Sequence, residues 1–290
     1  MRILYGGLKY DGLNNLGDQI QSIAAERFLP NIDKRFNRDE LANYYESKTY
    51  ALIMNGWFTH NPSSCFPPNK NFLPIYWGFH ITDWNDSWDH FLSEGSLNHL
   101  KLNGPIGCRD NYTAERLKSN GVEAFNSKCL TLTFPKRCSH PSNNWNIIVD
   151  VPFPLPKFIE TNGLRTTHIV EPTFSAKVKL NQARKLLNLY ELSGGLIITT
   201  RLHCALPCIA MGIPVIFFGN FDDYRTSIIR DLGIPIYKIP SFKGKAKDEY
   251  IDEIQKLYRL VNWYPAAIDI EIWKKKTIDQ FISFLNRRIR

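Results

Sequence analysis

The stretch Leu196–Gly219, LIITTRLHCALPCIAMGIPVIFFG, constrains the fold more than any other part of the chain. Two unbroken apolar and β-branched runs, 196–200 and 213–218, flank a small-residue segment, 202–211, of helical character. Apolar runs without alternation suit strands covered on both faces. The segment between them is close to the shortest crossover that returns a chain parallel to its previous strand. A parallel sheet follows, and Thr200, Arg201, Leu202 and His203 fall at the carboxyl end of its strand, where open α/β sheets place ligands. A permanent guanidinium, an imidazole and the N–H groups of a helix N-terminus suit holding an anion and moving a proton. The same residues also read structurally, Arg201 as an ordinary ion pair and His203 as a hydrogen-bonded core histidine.

The alternation extends to both sides. A first strand over 3–5 is expected to close at Gly6-Gly7, ahead of an amphipathic helix over 19–29. Asp18 reads as its N-cap, or else Asp18 or Asn15 faces a crevice and touches a hydroxyl. A dinucleotide fingerprint is absent, since no GxGxxG follows the strand. A buried strand over 50–54 runs into Asn55-Gly56-Trp57, a polar residue, a glycine and a large ring that suit a sugar platform. Another over 73–79 ends at His80, which is either a site group or structural. The DWNDSWDH segment after it reads as an aromatic, acidic surface loop.

A short strand over 106–109 leads into a helix over 111–119 stopped by Asn120-Gly121. At their junction Arg109 is a second anion contact, or it pairs with Asp110 capping the helix. A β-rich run is expected over 129–134. The turn-rich segment PKRCSHPSNNWN, 135–146, marks the domain boundary, dividing the chain into 1–140 and 141–290. Beyond it come strands over 147–151 and 166–170, the latter holding His168, and a helix over 174–192 stopped at Gly194-Gly195. After the central stretch a helix over 223–232 and a strand over 234–239 are expected. Two terminal helices close the chain, the last with Ile268, Ile272, Ile278, Phe281, Ile282, Leu285 and Ile289 on one face that packs back on the first domain. The expected fold is α/β, two Rossmann-like doubly wound domains facing a cleft.

The net charge of +8 favours anionic partners. No nucleic-acid-binding signature is present. The basic cluster Lys274, Lys275, Lys276, Arg287, Arg288 and Arg290 reads as a solvated helix face or as an attraction to anionic lipid head groups. Six cysteines lack framework spacing; Cys204 and Cys208 share a helix face, where packing is favoured over a metal. With no signal-like or membrane-spanning run, a cytoplasmic protein is expected, at most peripheral at the inner membrane face.

Five segments in this order make the sequence similar to the polysaccharide pyruvyl transferase family: NNLGD, IMNGWF, YWGFHI, GPIGCRDNYTAERLKSNGVEA with CLTLTF, and TTRLHCALPCIAMGIPVIF. The resemblance implies a fold like that of GT-B glycosyltransferases. It implies an enzyme that takes phosphoenolpyruvate and installs a pyruvate ketal across two hydroxyls of a sugar, in a surface polysaccharide such as capsule or exopolysaccharide or in its lipid-linked precursor. Arg201 and His203 match the family's RxH donor motif, Arg109 its G-[VC]-R-D arginine, and Asp18 its N-x-G-D aspartate. His168 stands where a histidine precedes the long helix. On this reading Arg201 and Arg109, with Thr200 and Leu202, hold the donor. His203 or His168 is the acid and Asp18 the base, and Asn15, Asn55, Trp57 and His80 face the acceptor. No cofactor or metal enters.

Two other functions fit the same architecture. One is a glycosyltransferase using a nucleotide-sugar, which needs a ribose-binding carboxylate and a base pocket in the second domain. The other is a carbohydrate-binding relative that has lost the reaction.

Overall fold

The computed structural model describes residues 3–141 and 143–289. Ser142 of the expected linker and Arg290 of the basic cluster lie outside the described residues. The chain divides into two units, residues 1–134 with 170–183 and 272–290, and residues 135–169 with 184–271. The division passes through the helix Ala176–Ser193.

The first unit holds six strands, β1 (Leu4–Lys9), β2 (Lys34–Asn37), β3 (Tyr50–Trp57), β4 (Phe72–His80), β5 (Ile106–Cys108) and β6 (Ala124–Asn126). They form one sheet in the order β2-β1-β3-β4-β5-β6, every pair parallel. The second holds β7 (Trp145–Val149), β8 (Gly163–Thr166), β9 (Gly194–Thr199), β10 (Val215–Gly219) and β11 (Ile236–Lys238), in the order β8-β7-β9-β10-β11 and again all parallel. Both sheets share one winding: the second strand lies on one side of the first, the third on the other. Each unit therefore has a topological switch point, between β1 and β3 and between β7 and β9, the place where doubly wound sheets open a crevice at their carboxyl ends.

Each unit has its own apolar core. Tyr10, Phe36, Leu52, Phe58, Phe66, Tyr76 and Phe79 anchor the first, and Ile148, Phe153, Ile198, Ile216, Phe218 and Trp263 the second. In the central stretch the helix runs Leu202–Ala210 between β9 and β10. Its Cys204 and Cys208 are fully buried.

Several local expectations are corrected. β1 runs through Gly6-Gly7 instead of ending there, because these glycines serve close packing: a Cβ on Gly7 would stand 2.8 Å from Glu26 Oε1 and 2.9 Å from Arg35 Nη1. The first helix is Leu16–Glu26, and its cap is Asn15, whose Oδ1 accepts from Gly17 N at 3.0 Å. Asp18 thus falls inside the first turn. The stretch expected as β-rich near 129–134 contains a 3₁₀ turn, Leu130–Thr133, with Lys128 just before it at φ 60°. β8 ends before His168.

The last helix, Glu271–Ile289, buries Lys274, Thr277, Phe281, Phe284 and Leu285, while Ile272 and Ile282 are exposed. The residues at 274, 277, 281, 284 and 285 recur at three- and four-residue steps, so they make the core stripe. Phe281 meets Trp77 and Phe28 with ring centroids 5.0 and 4.8 Å away. No helix among the described residues is long and apolar enough to cross a membrane.

Candidate active site

At the switch point of the second unit, β7 is followed directly by Asp150, held in the left-handed region at φ 53°. Asp and Asn are the side chains that tolerate this conformation best. The turned backbone aims the carboxylate across to the end of β9. Asp150 Oδ2 accepts from Arg201 Nε at 2.7 Å and from His168 N at 3.0 Å; Oδ1 accepts from Thr167 Oγ1 at 2.5 Å. Thr200 Oγ1 donates to the Asp150 carbonyl at 2.9 Å, and Arg201 N donates to Thr199 Oγ1. Burial pushes the Asp150 carboxyl up, but Thr167, the His168 N–H and Arg201 together hold it below its usual range. Arg201 is thereby fixed at the mouth of the helix Leu202–Ala210, its side chain 35 % exposed against 11 % for Asp150. Only Nε is spent on Asp150 among the described residues, which leaves the outer edge of the fork for an oxyanion. Leu202 and His203 follow, both half-buried, on the first helical turn.

His168 stands elsewhere in this unit. It is fully buried, its Nε2 lies 2.8 Å from Tyr190 Oη, and the two rings stack. The Cys204 thiol interacts with both. The imidazole belongs to the packing behind Asp150, and what reaches the switch point from His168 is its backbone N–H.

In the first unit the charged residues gather around Arg38, whose side chain is 0 % exposed. Its guanidinium grips Asp39 at 2.9 and 3.2 Å and reaches Asp18 Oδ1 at 3.5 Å. It lies over the rings of Tyr10 and Trp57, with centroids 4.9 and 5.5 Å away. Burial raises the Asp18 carboxyl pKa, with Asp39 adding to it while Arg38 and Arg109 pull it down.

His80 ends β4 and Arg109 directly follows β5, and both are buried. Arg109 Nε stands 3.9 Å from Asp110 Oδ2, and His80 Nδ1 lies 2.5 Å from the same oxygen. Asp110 also caps the helix Asn111–Lys118, accepting from Thr113 N at 2.8 Å. Burial pushes the Asp110 carboxyl up, but His80, Arg109 and the Thr113 N–H more than offset it and bring it down to about 2. A carboxyl depressed in the folded state stabilises above its unfolded pKa and loses that contribution as pH falls through the folded value. Asp110→Asn is therefore expected to flatten the acid limb of stability between about pH 4 and pH 2, removing roughly 2 kcal/mol of pH dependence in urea titrations. An unchanged acid limb would show that the pair carries no linkage.

The other acceptor candidates are largely occupied within the unit. Asn15 caps the first helix. Asn55 is buried at a bulge of β3, donating to Gln21 O at 3.1 Å and accepting from Leu130 N at 3.4 Å. An added Cβ on Gly78 would collide with its Oδ1. Trp57 is half-buried at the switch point, its Nε1 donating to Thr82 Oγ1 at 3.0 Å. The sequence reading missed Asp150, Arg38 and Asp39. Asp150 carried a usable signal, a lone carboxylate ending the apolar run IIVD. Arg38-Asp39 reads like any charged surface turn.

Two doubly wound parallel units, each gathering charged side chains at its own switch point, place the chain in the Rossmann-like α/β class. The chain belongs to the polysaccharide pyruvyl transferase family, whose model matches residues 15–223. No curated protein matches it significantly. Among solved structures, a functionally uncharacterised protein from Klebsiella pneumoniae is similar at 16% identity and a TM-score of 0.46, covering 79% of this chain and 88% of that one.

Proposed function

We propose that the protein transfers the pyruvyl group of phosphoenolpyruvate to two hydroxyls of a saccharide, forming a ketal and releasing phosphate. The observation that carries this reading is Arg201, locked by Asp150 at the carboxyl end of β9 with part of its guanidinium exposed. Beside it are the N–H groups of a helix start, which need a partner and favour negative charge. A small doubly anionic donor suits that setting.

In the proposed chemistry C3 of the enol takes a proton, and C2 becomes an oxocarbenium centre. One hydroxyl adds to C2 and gives up its proton. The second hydroxyl then displaces phosphate as the bond from C2 to the phosphate oxygen breaks, and its proton leaves with the phosphate. His203 is the better placed of the two histidines to supply the proton, since it is only partly buried at the start of the helix after β9 while His168 is fully enclosed. Arg109 is assigned to donor charge, and Asp18, its carboxyl pKa raised by burial, to the hydroxyl proton. The scheme draws on no cofactor.

The test is ketal formation from labelled phosphoenolpyruvate with phosphate release, read by mass and by NMR on a saccharide panel. His203→Ala is expected to lower kcat by about a hundredfold or more while donor KM moves far less. A variant with unaltered kcat would remove His203 from the reaction.

A further inference from the structure

We propose that Trp84, stacked on Trp57, forms with His60 a saccharide-binding platform at the switch point of the first unit. The proposal rests on the acceptor side of the reading above, and it adds to Trp57 two residues that the motifs do not mark, Trp84 and His60. Trp57 ends β3. Its ring is fixed from within by the hydrogen bond to Thr82 and by the Arg38 guanidinium. Trp84, from the loop after β4, lies on it with centroids 5.4 Å apart and planes inclined by only 17°. His60 leans against both, 6.1 Å from Trp57 and 5.9 Å from Trp84. Its Nδ1 is held 3.1 Å from Asp39 Oδ2, and its side chain is 39 % exposed.

A stacked indole pair normally finishes inside a core, yet Trp84 is 47 % exposed. A large rigid ring left in water on a fixed support is a poor use of apolar surface unless something covers it. The surrounding charge says what kind of ligand. Asp83, Asp86 and Asp89 lie in this segment, and no Lys or Arg occurs between Lys70 and Lys101. Arg116 is spent on Asp83 at 2.9 Å, and the cation under Trp57 is matched by Asp18 and Asp39. Such a rim repels phosphates and carboxylates and accepts hydrogen bonds from hydroxyls. A neutral pyranose meets both conditions, with a C–H face to lay on the indole and hydroxyls around its edge.

The experiment applies the full-length protein to a printed array of unmodified hexose and N-acetylhexosamine oligosaccharides. The strongest binder is then titrated by tryptophan fluorescence, alongside a nucleoside diphosphate. Trp84→Ala is expected to weaken glycan binding by about tenfold, equivalent to about 1.4 kcal/mol, with Trp84→Phe recovering part of it. The thermal shift given by phosphoenolpyruvate should stay unchanged, which also shows that the variant is folded. Glycan affinity unaffected by Trp84→Ala, no glycan bound by the wild type, or a Trp84-dependent affinity for the nucleoside diphosphate instead would each overturn the platform. If Trp84-dependent glycan binding appears but no ketal forms and phosphoenolpyruvate gives no shift, the platform stands and pyruvyl transfer falls.

Discussion

Arg201→Ala is expected to lower kcat/KM for phosphoenolpyruvate by about two to three orders of magnitude, on the scale seen when one preorganised charge-stabilising donor is removed. It should also abolish the thermal shift that the donor produces. The loss should come from the ligand side, because Asp150 keeps Thr167 and the His168 N–H after Arg201 is gone. Arg201→Lys is expected to recover little, since an ammonium on a flexible stem has no second edge to present once it pairs with Asp150. Asp150→Asn should fall between the wild type and these two variants: asparagine accepts the same backbone conformation and Arg201 is kept, but a neutral amide grips the guanidinium less firmly. Donor titrations and thermal shifts on the three variants check the series. Full activity in Arg201→Ala would end the assignment.

The largest expected effect on stability is at Arg38. Arg38→Met keeps much of the side-chain volume but leaves Asp18 and Asp39 enclosed without their cation, at a cost of about 3–5 kcal/mol. Because burial raises the Asp18 pKa in the fold, the contribution of Asp18 to stability is fully present below its unfolded pKa and is lost as pH rises through the folded value. Removing Arg38 raises that folded pKa further. The deficit of the variant should therefore be largest at neutral pH and shrink toward about pH 4, as the carboxyls take up protons. Adding Asp39→Asn to Arg38→Met should restore part of the loss, since one of the two stranded charges disappears. Urea unfolding at the two pH values measures both effects. A deficit that grows on acidification would contradict the sign and place the stabilisation in packing alone.

Arg38 also shows why part of the candidate site was illegible. A cation between two carboxylates, laid over Tyr10 and Trp57, is assembled from the start of one helix, the turn after β2 and the end of β3. No spacing in the sequence encodes that meeting. Arg109, Arg201 and His203 could be picked out because each falls where an apolar strand run gives way to a helix. The positions were readable, and so was the pairing of Arg109 with Asp110, which caps the next helix; the partner of Arg201 was not, because Asp150 comes from the end of a different strand. Asn15 takes the capping role expected of Asp18 for a local reason, since the helix starts earlier than its apolar periodicity suggests.

By itself the sequence determined the class of fold, the parallel strands around the central stretch and the family. These follow from short-range patterns, unbroken apolar runs and the junctions that end them, which the backbone must obey wherever the elements dock. The tertiary structure decided which charges are buried in pairs, which aromatic ring is left in water, and that His168 is enclosed while Arg201 is partly open. Those outcomes depend on the winding of each sheet about its first strand. That winding brings the ends of β7 and β9, or of β1 and β3, side by side across long separations in the chain, and burial and charge pairing are properties of the neighbours so assembled.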